Sequence, residues 1–101
     1  MNWRRKLAYS IQLTPKVIKY LSKIKDKKLK RLFTAFIFET IKSQPYNGSP
    51  KNGDLKGYFT RGFRYNKTDY RIAYTINDEG EIIIVVLTGS HERFYDKLKR
   101  L

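Results

Sequence analysis

The sequence contains no cysteine, so neither a disulfide framework nor a thiolate metal site is open to it. It has one histidine, His91, which leaves a histidine-based metal centre short of ligands. No apolar run approaches the ~20 residues that a membrane span needs. The start, Met1-Asn2-Trp3-Arg4-Arg5-Lys6, is basic, but no long apolar region with a small-residue cleavage site follows, so a cytoplasmic chain is expected. No glycine-rich loop has the spacing that cradles nucleotide phosphates. Acids are scarce as well, with 9 Asp+Glu against 22 Lys+Arg and a net charge of +13.

A hydrophobic fraction of 41% with 15% aromatic residues is too rich for a disordered chain. The 101 residues suffice for a single domain, 1–101, with one modest core. Charge of one sign repels itself and opposes compaction, so an excess this large implies an anionic partner: nucleic acid, an anionic membrane surface or an acidic protein. RNA is the favoured one. The excess is uneven: residues 1–31 hold 11 Lys+Arg against one acid, and residues 72–101 hold 4 against 5. The basic part reads as a docking surface, suited to ribosomal RNA, and the chemistry is expected elsewhere.

Leu7, Tyr9, Ile11 and Leu13 alternate with polar residues, which predicts a half-buried strand. Thr14-Pro15 supplies an N-cap and a first helical residue, and Val17, Ile18, Leu21 and Ile24 form an apolar stripe. Asp26 caps a second helix whose buried face is Leu29, Leu32, Phe33, Phe36, Ile37 and Ile41. A loop rich in Asn, Gly and Pro covers 44–57. Three strands follow in a meander, near 58–65, 69–76 and 81–88, the last apolar on both faces and therefore central. Gly89-Ser90 is read as ending it, with Ser90 capping a final helix from His91 that turns Phe94 and Leu98 inward. The order β-α-α-β-β-β-α predicts an α+β domain, a mainly antiparallel twisted sheet packed against a helical pair.

The turn at Asn66–Asp69, centred on Lys67-Thr68, sets Arg64 opposite Arg71, with Gly62 and Ala73 as a small-residue floor beside them. Two guanidinium groups face to face are unfavourable in an ordinary sheet and are what an anion pocket needs. The second turn sets Arg71 beside Val86, near His91, and a helix starting at His91 adds free N–H groups and brings Tyr95 one turn along the same face. Such groups can cut RNA without a metal or any cofactor. The 2′-hydroxyl attacks its own phosphorus, arginines stabilise the charge on the phosphate oxygens, and a histidine moves protons near neutral pH. Tyr95 or Phe94 can stack a base. The bland alternatives are two solvated arginines splayed apart and a structural histidine.

Four segments resemble the RelE/ParE superfamily of toxins from bacterial toxin–antitoxin pairs: Tyr9-Ser10-Ile11-Gln12-Leu13-Thr14-Pro15, Gly53-Asp54-Leu55-Lys56-Gly57-Tyr58, Asp69-Tyr70-Arg71-Ile72-Ala73-Tyr74, and Leu87-Thr88-Gly89-Ser90-His91-Glu92-Arg93-Phe94-Tyr95. The likeness covers nearly the whole chain, and its last segment is similar to the ribosome-dependent, mRNA-cleaving branch with a YafQ-like ending. The resemblance implies an endoribonuclease acting in the ribosomal A site, with His91, Arg71, Arg64 and Tyr95 as catalytic residues. It implies an assisting role for Arg61 beside Arg64, and a cognate antitoxin, mRNA and the ribosome as partners; RNA contacts are expected from Arg61, Lys51, Lys56 and Phe94. The YafQ-like arginine before Thr-Gly is Leu87 here, so that contact is missing or replaced. Two other readings remain open: a ParE-like inhibitor of DNA gyrase without nuclease activity, and a non-catalytic nucleic-acid-binding module.

Overall fold

The computed structural model describes residues 9–101. Leu7 and the basic start lie outside the described residues. The first strand, β1, is Ser10–Leu13. Helix α1, Pro15–Ser22, begins where Thr14 caps the backbone N–H of Val17 and Pro15 takes the first position. Helix α2, Lys27–Ala35, begins where the Asp26 carboxylate accepts from Lys28 N and Leu29 N. These bonds, with that from Tyr65, hold the Asp26 carboxyl below its ordinary range, the Leu29 N–H contributing most. A wider π-helical turn, Phe36–Ile41, continues α2. Leu29, Phe33, Ile37 and Ile41 are all buried at intervals of four residues, a spacing that drifts around a helix of ~3.6 residues per turn. The wider turn takes up that drift and keeps Ile41 on the buried side.

A two-residue strand, β2 (Ser49–Pro50), precedes β3 (Phe59–Tyr65), β4 (Thr68–Asn77) and β5 (Ile82–Ser90), and α3 (Phe94–Lys99) follows. The sheet runs β1-β5-β4-β3-β2, with β1 parallel to β5 and the other pairs antiparallel. The α+β architecture matches the expected one, and β5 lies inside the sheet between β1 and β4, next to the middle strand, as its apolar run requires. Odd-numbered residues of β3 face α1 and α2, where Phe33 is fully buried and meets Tyr20, Phe63 and Tyr70 edge-on. The other face carries α3, whose Phe94 and Leu98 pack with Leu55, Ala73 and Leu87.

Four local expectations fail. Ile18 is 54% exposed, and Tyr20 packs inward in its place. Lys67 joins the β3–β4 turn with φ +67 while Thr68 pairs with Tyr65, so the turn has two residues, Asn66-Lys67, and not four. Glu81 adopts φ +53 and stays outside β5. Finally, β5 does not stop at Thr88: Gly89 pairs with Arg71 and Ser90 with Tyr70, so the ladder outcompetes the Ser90 cap.

Candidate active site

Both turns of the meander set the site's geometry. Asn66 and Lys67 have positive φ, the conformation of the two-residue turn whose twist suits a hairpin. That turn places Arg64 opposite Asp69 and Gly62 opposite Arg71. The expected Arg64–Arg71 pair is therefore corrected: Arg64 faces an acid, and the two arginines are diagonal neighbours. They still share one face, because the pairing moved by an even number of residues and side chains alternate with period two. Together with Gly62, Phe63, Asp69 and Tyr70 they line an open cleft of about 210 Å³.

On the other side of β4, the ladder shifts between Ala73 and Tyr74, where β5 carries an extra residue, Val86. Arg71 thus lies opposite Gly89, not beside Val86. Its two cross-strand neighbours are both glycine. A Cβ on Gly62 would come within 3.1 Å of Arg71 Cδ, so the arginine side chain passes over Gly62. A Cβ on Gly89 would meet nothing within 4 Å. Arg71 accordingly stands on a floor with empty space at one side, which a bulky neighbour would fill.

His91 follows β5 directly. Its backbone N–H donates to Asp69 O at 2.8 Å, which fixes it one strand over from Asp69 and two from Arg64, and its side chain is exposed. It is not on a helix: α3 starts at Phe94, after Arg93 in the left-handed region at φ +57. The expected helix N-terminus at His91, and the one-turn relation between His91 and Tyr95, do not form.

Tyr95 approaches from α3 and leaves 36% of its surface exposed. Lys51 Nζ sits 5.0 Å from its ring centroid. Burial pushes the Tyr95 phenol up, but hydrogen bonds with Thr60 and Lys51, and the charges of Lys51 and Arg71, outweigh burial and lower it below the ordinary tyrosine range. Lys51 is positioned by its backbone N–H, which donates to Tyr58 O at 3.0 Å.

The structure thus brings Arg64, Arg71, Tyr95 and Lys51 to one face, with His91 at its end. It does not bring Arg61 there. That residue is on the opposite face, with its guanidinium 5.4 Å from the Phe36 ring and 3.3 Å from Gln44 O. Phe94 is 1% exposed and belongs to the core, so it stacks no base. Lys56 stands exposed at the end of the short turn Gly53–Leu55 that leads toward β3. Thr60, Asp69 and Gly89 are neighbours of the site that sequence reasoning missed. Only the alternation running through Gly62 pointed to Thr60.

A family model described as the ParE-like toxin of type II bacterial toxin–antitoxin systems matches residues 11–99. No curated protein matches the sequence. Among solved structures, the chain is similar to the RelBE2 toxin–antitoxin complex of Mycobacterium tuberculosis, with 24% identity over 82% of this chain and 91% of that one and a TM-score of 0.69. It is similar to a mutant of the E. coli toxin RelE in the free state, with 18% identity over 92% and 97% and a TM-score of 0.68. The intact E. coli RelBE complex follows, with 19% identity over 84% and 99% and a TM-score of 0.66. These likenesses are of fold. The family model spans most of the chain, and the protein therefore belongs to the ParE-like toxins of type II bacterial toxin–antitoxin systems, within the RelE/ParE superfamily.

Proposed function

We propose that this toxin is a metal-independent endoribonuclease that cuts mRNA in the ribosomal A site and so halts translation. The observation that carries the reading is Arg71, which lies between two glycines with the Tyr95 phenol beside it and His91 near the same end of the sheet. An RNA phosphate over Gly89 meets the Arg71 guanidinium, and Arg64 adds charge from the diagonal position. His91 takes the proton of the attacking 2′-hydroxyl. The O2′–P bond forms, the P–O5′ bond breaks, and the Tyr95 phenol, made more acidic by its cationic neighbours, returns a proton to the departing oxygen. The products are a 2′,3′-cyclic phosphate and a 5′-hydroxyl. Lys51 holds Tyr95, and Lys56 with the basic residues of α1 and α2 provides contacts to RNA.

The partners are mRNA, the ribosome and a cognate antitoxin whose acidic or amphipathic segment neutralises the domain. The place of action is the bacterial cytoplasm; no helix of the described residues is long and apolar enough to cross a membrane. A second reading, inhibition of DNA gyrase by binding alone, draws support from the ParE-like description of the matching family. Mapping transcript 5′ ends after brief induction of wild type and His91→Ala separates the two. Cuts in register with codons, lost in the variant, are expected. Intact transcripts together with inhibited DNA supercoiling would assign the protein to gyrase.

A further inference from the structure

A second cleft lies around the edge of the sheet from Arg71. Strand β1 pairs only Ile82 to Val85 of β5, and the chain then turns into α1 at Pro15. Where β5 runs on past that point, a cavity of about 280 Å³ opens between α1 and α3, lined by Lys16, Tyr20, Leu87, Thr88, Lys97 and Arg100. Three of these six are cations and none is a carboxylate. Thr88 is 5% exposed, and its Oγ1 is the buried side-chain polar atom that has no hydrogen-bond partner among the described residues. A buried hydroxyl without a partner is a cost with no return in the free protein.

We propose that this cleft is a nucleotide subsite, with a phosphate on Lys16, Lys97 and Arg100 and a base against Tyr20 and Leu87 that reaches the Thr88 hydroxyl. The volume is at the low end of small-molecule pockets, which start near ~300 Å³, so it takes one nucleotide and not a length of strand. Three cations converging without an acid suit a phosphate, whose several acceptor oxygens engage them together. A partly buried aromatic ring and a leucine form the kind of wall on which a base packs. The Tyr20 phenol, raised by burial and by Tyr70, stays neutral beside the phosphate.

Phe94 and Leu98 point into the core, so α3 presents Tyr95 on one flank and Lys97 with Arg100 on the other. The nucleotide is one unit of the RNA being cut or a free mononucleotide. The first source rests on the ribonuclease reading above, and the second does not.

The test is binding of uridine monophosphate, inorganic phosphate and a short RNA to the purified chain, measured by calorimetry and by NMR shifts. In wild type the mononucleotide binds and shifts signals of Thr88 and Tyr20, and inorganic phosphate binds more weakly. Thr88→Val is expected to weaken the mononucleotide about tenfold, the effect of one lost hydrogen bond. It should also raise the melting temperature of the free protein, because the unpaired hydroxyl is gone. Arg100→Ala and Lys16→Ala weaken binding with no such rise. Competition by the RNA identifies a strand as the source; its absence identifies a free nucleotide.

A Thr88→Val chain that is destabilised and binds as before would overturn the proposal. So would phosphate binding as tightly as the nucleotide, or a Glu/Leu peptide displacing it at lower concentration. The same titrations in His91→Ala keep the two readings apart. Loss of cleavage with mononucleotide binding retained is expected there. Cleavage by wild type without any mononucleotide binding removes the subsite alone, and binding without cleavage by wild type removes the nuclease alone.

Discussion

Gly89→Ala separates the stability of the sheet from the use of its surface. Gly89 has no positive φ that an alanine would resist, and a Cβ there would meet nothing within 4 Å. Alanine in a strand is better than glycine by ~0.5–1 kcal/mol, because glycine loses more freedom on folding. For a domain of this size 1 kcal/mol moves the melting temperature by ~4–8 °C, so a rise of roughly 2–8 °C is expected. The same methyl occupies the space beside Arg71 where a phosphate would lie. Displacing a reacting group by about 1 Å costs on the order of 10²-fold in rate, so mRNA cleavage should fall by about that factor.

Gly62→Ala is the matched control. Its methyl runs into the Tyr70 carbonyl oxygen and comes within 3.1 Å of Arg71 Cδ. Overpacking of this kind costs ~1–3 kcal/mol, so this variant should lose both stability and activity. Circular-dichroism melting and cleavage of mRNA on purified ribosomes give the two readouts. A stabilised Gly89→Ala protein that cuts as fast as wild type would refute the phosphate position, and a destabilised one would refute the empty floor.

If Tyr95 donates the proton, the alkaline limb of the cleavage profile lies below the ordinary tyrosine range, since its neighbours lower the phenol. Lys51→Gln should move that limb upward, and a limb that stays in place would remove Tyr95 from proton transfer. Tyr74 is raised by burial to about 12 from 10.0. A pKa raised on folding contributes stability that is present below the unfolded value and lost as pH rises through the folded one, so denaturation should set in between about pH 10 and 12. Tyr74→Phe, which also removes the bond to Pro45 O, should flatten that dependence while lowering stability at neutral pH, as read by urea midpoints at each pH. Lys67→Gly should stabilise the protein by about 1 kcal/mol, because a side chain in the left-handed region is strained there, and an unchanged urea midpoint would contradict this.

The starts of α1 and α2 and the strand faces were legible because each is written in a short span. Thr14-Pro15 and Asp26 carry their caps beside them, and Phe94 and Leu98 face the core at the four-residue interval that predicts it. That periodicity already conflicted with a base-stacking Phe94, and burial decided for the core. Arg61 shows the same rule from the other side. Its odd position on β3 puts it on the face of Phe63, away from Arg64, whatever the turn. What alternation cannot supply is which residue lies opposite which, since that depends on turns and bulges. Lys67 and Glu81 have no sequence mark for positive φ, and nothing in the apolar run from Ile82 to Leu87 singles out Val86 as the extra residue.

The errors of register had unequal consequences. At the β3–β4 turn an even shift exchanged Arg71 for Asp69 opposite Arg64 and left both arginines on the proposed site face. At β5, Glu81 in the loop and the bulge at Val86 together slid the strand so that Gly89 pairs with Arg71 and Ser90 stays in the sheet. That slide removed the helix expected at His91. It also supplied a second glycine beside Arg71 and tied His91 to Asp69 through the backbone. Glycine on both neighbouring strands leaves no side chain directly opposite the half-buried Arg71, a condition that a facing arginine would not have met. In the proposed reading the six Lys and Arg residues of α1 and α2, with no acid among them, draw an RNA to the domain without fixing where it is cut. In that reading the scissile phosphate lies in the clearing around Arg71, where the two glycines leave room and Tyr95 leans in from α3.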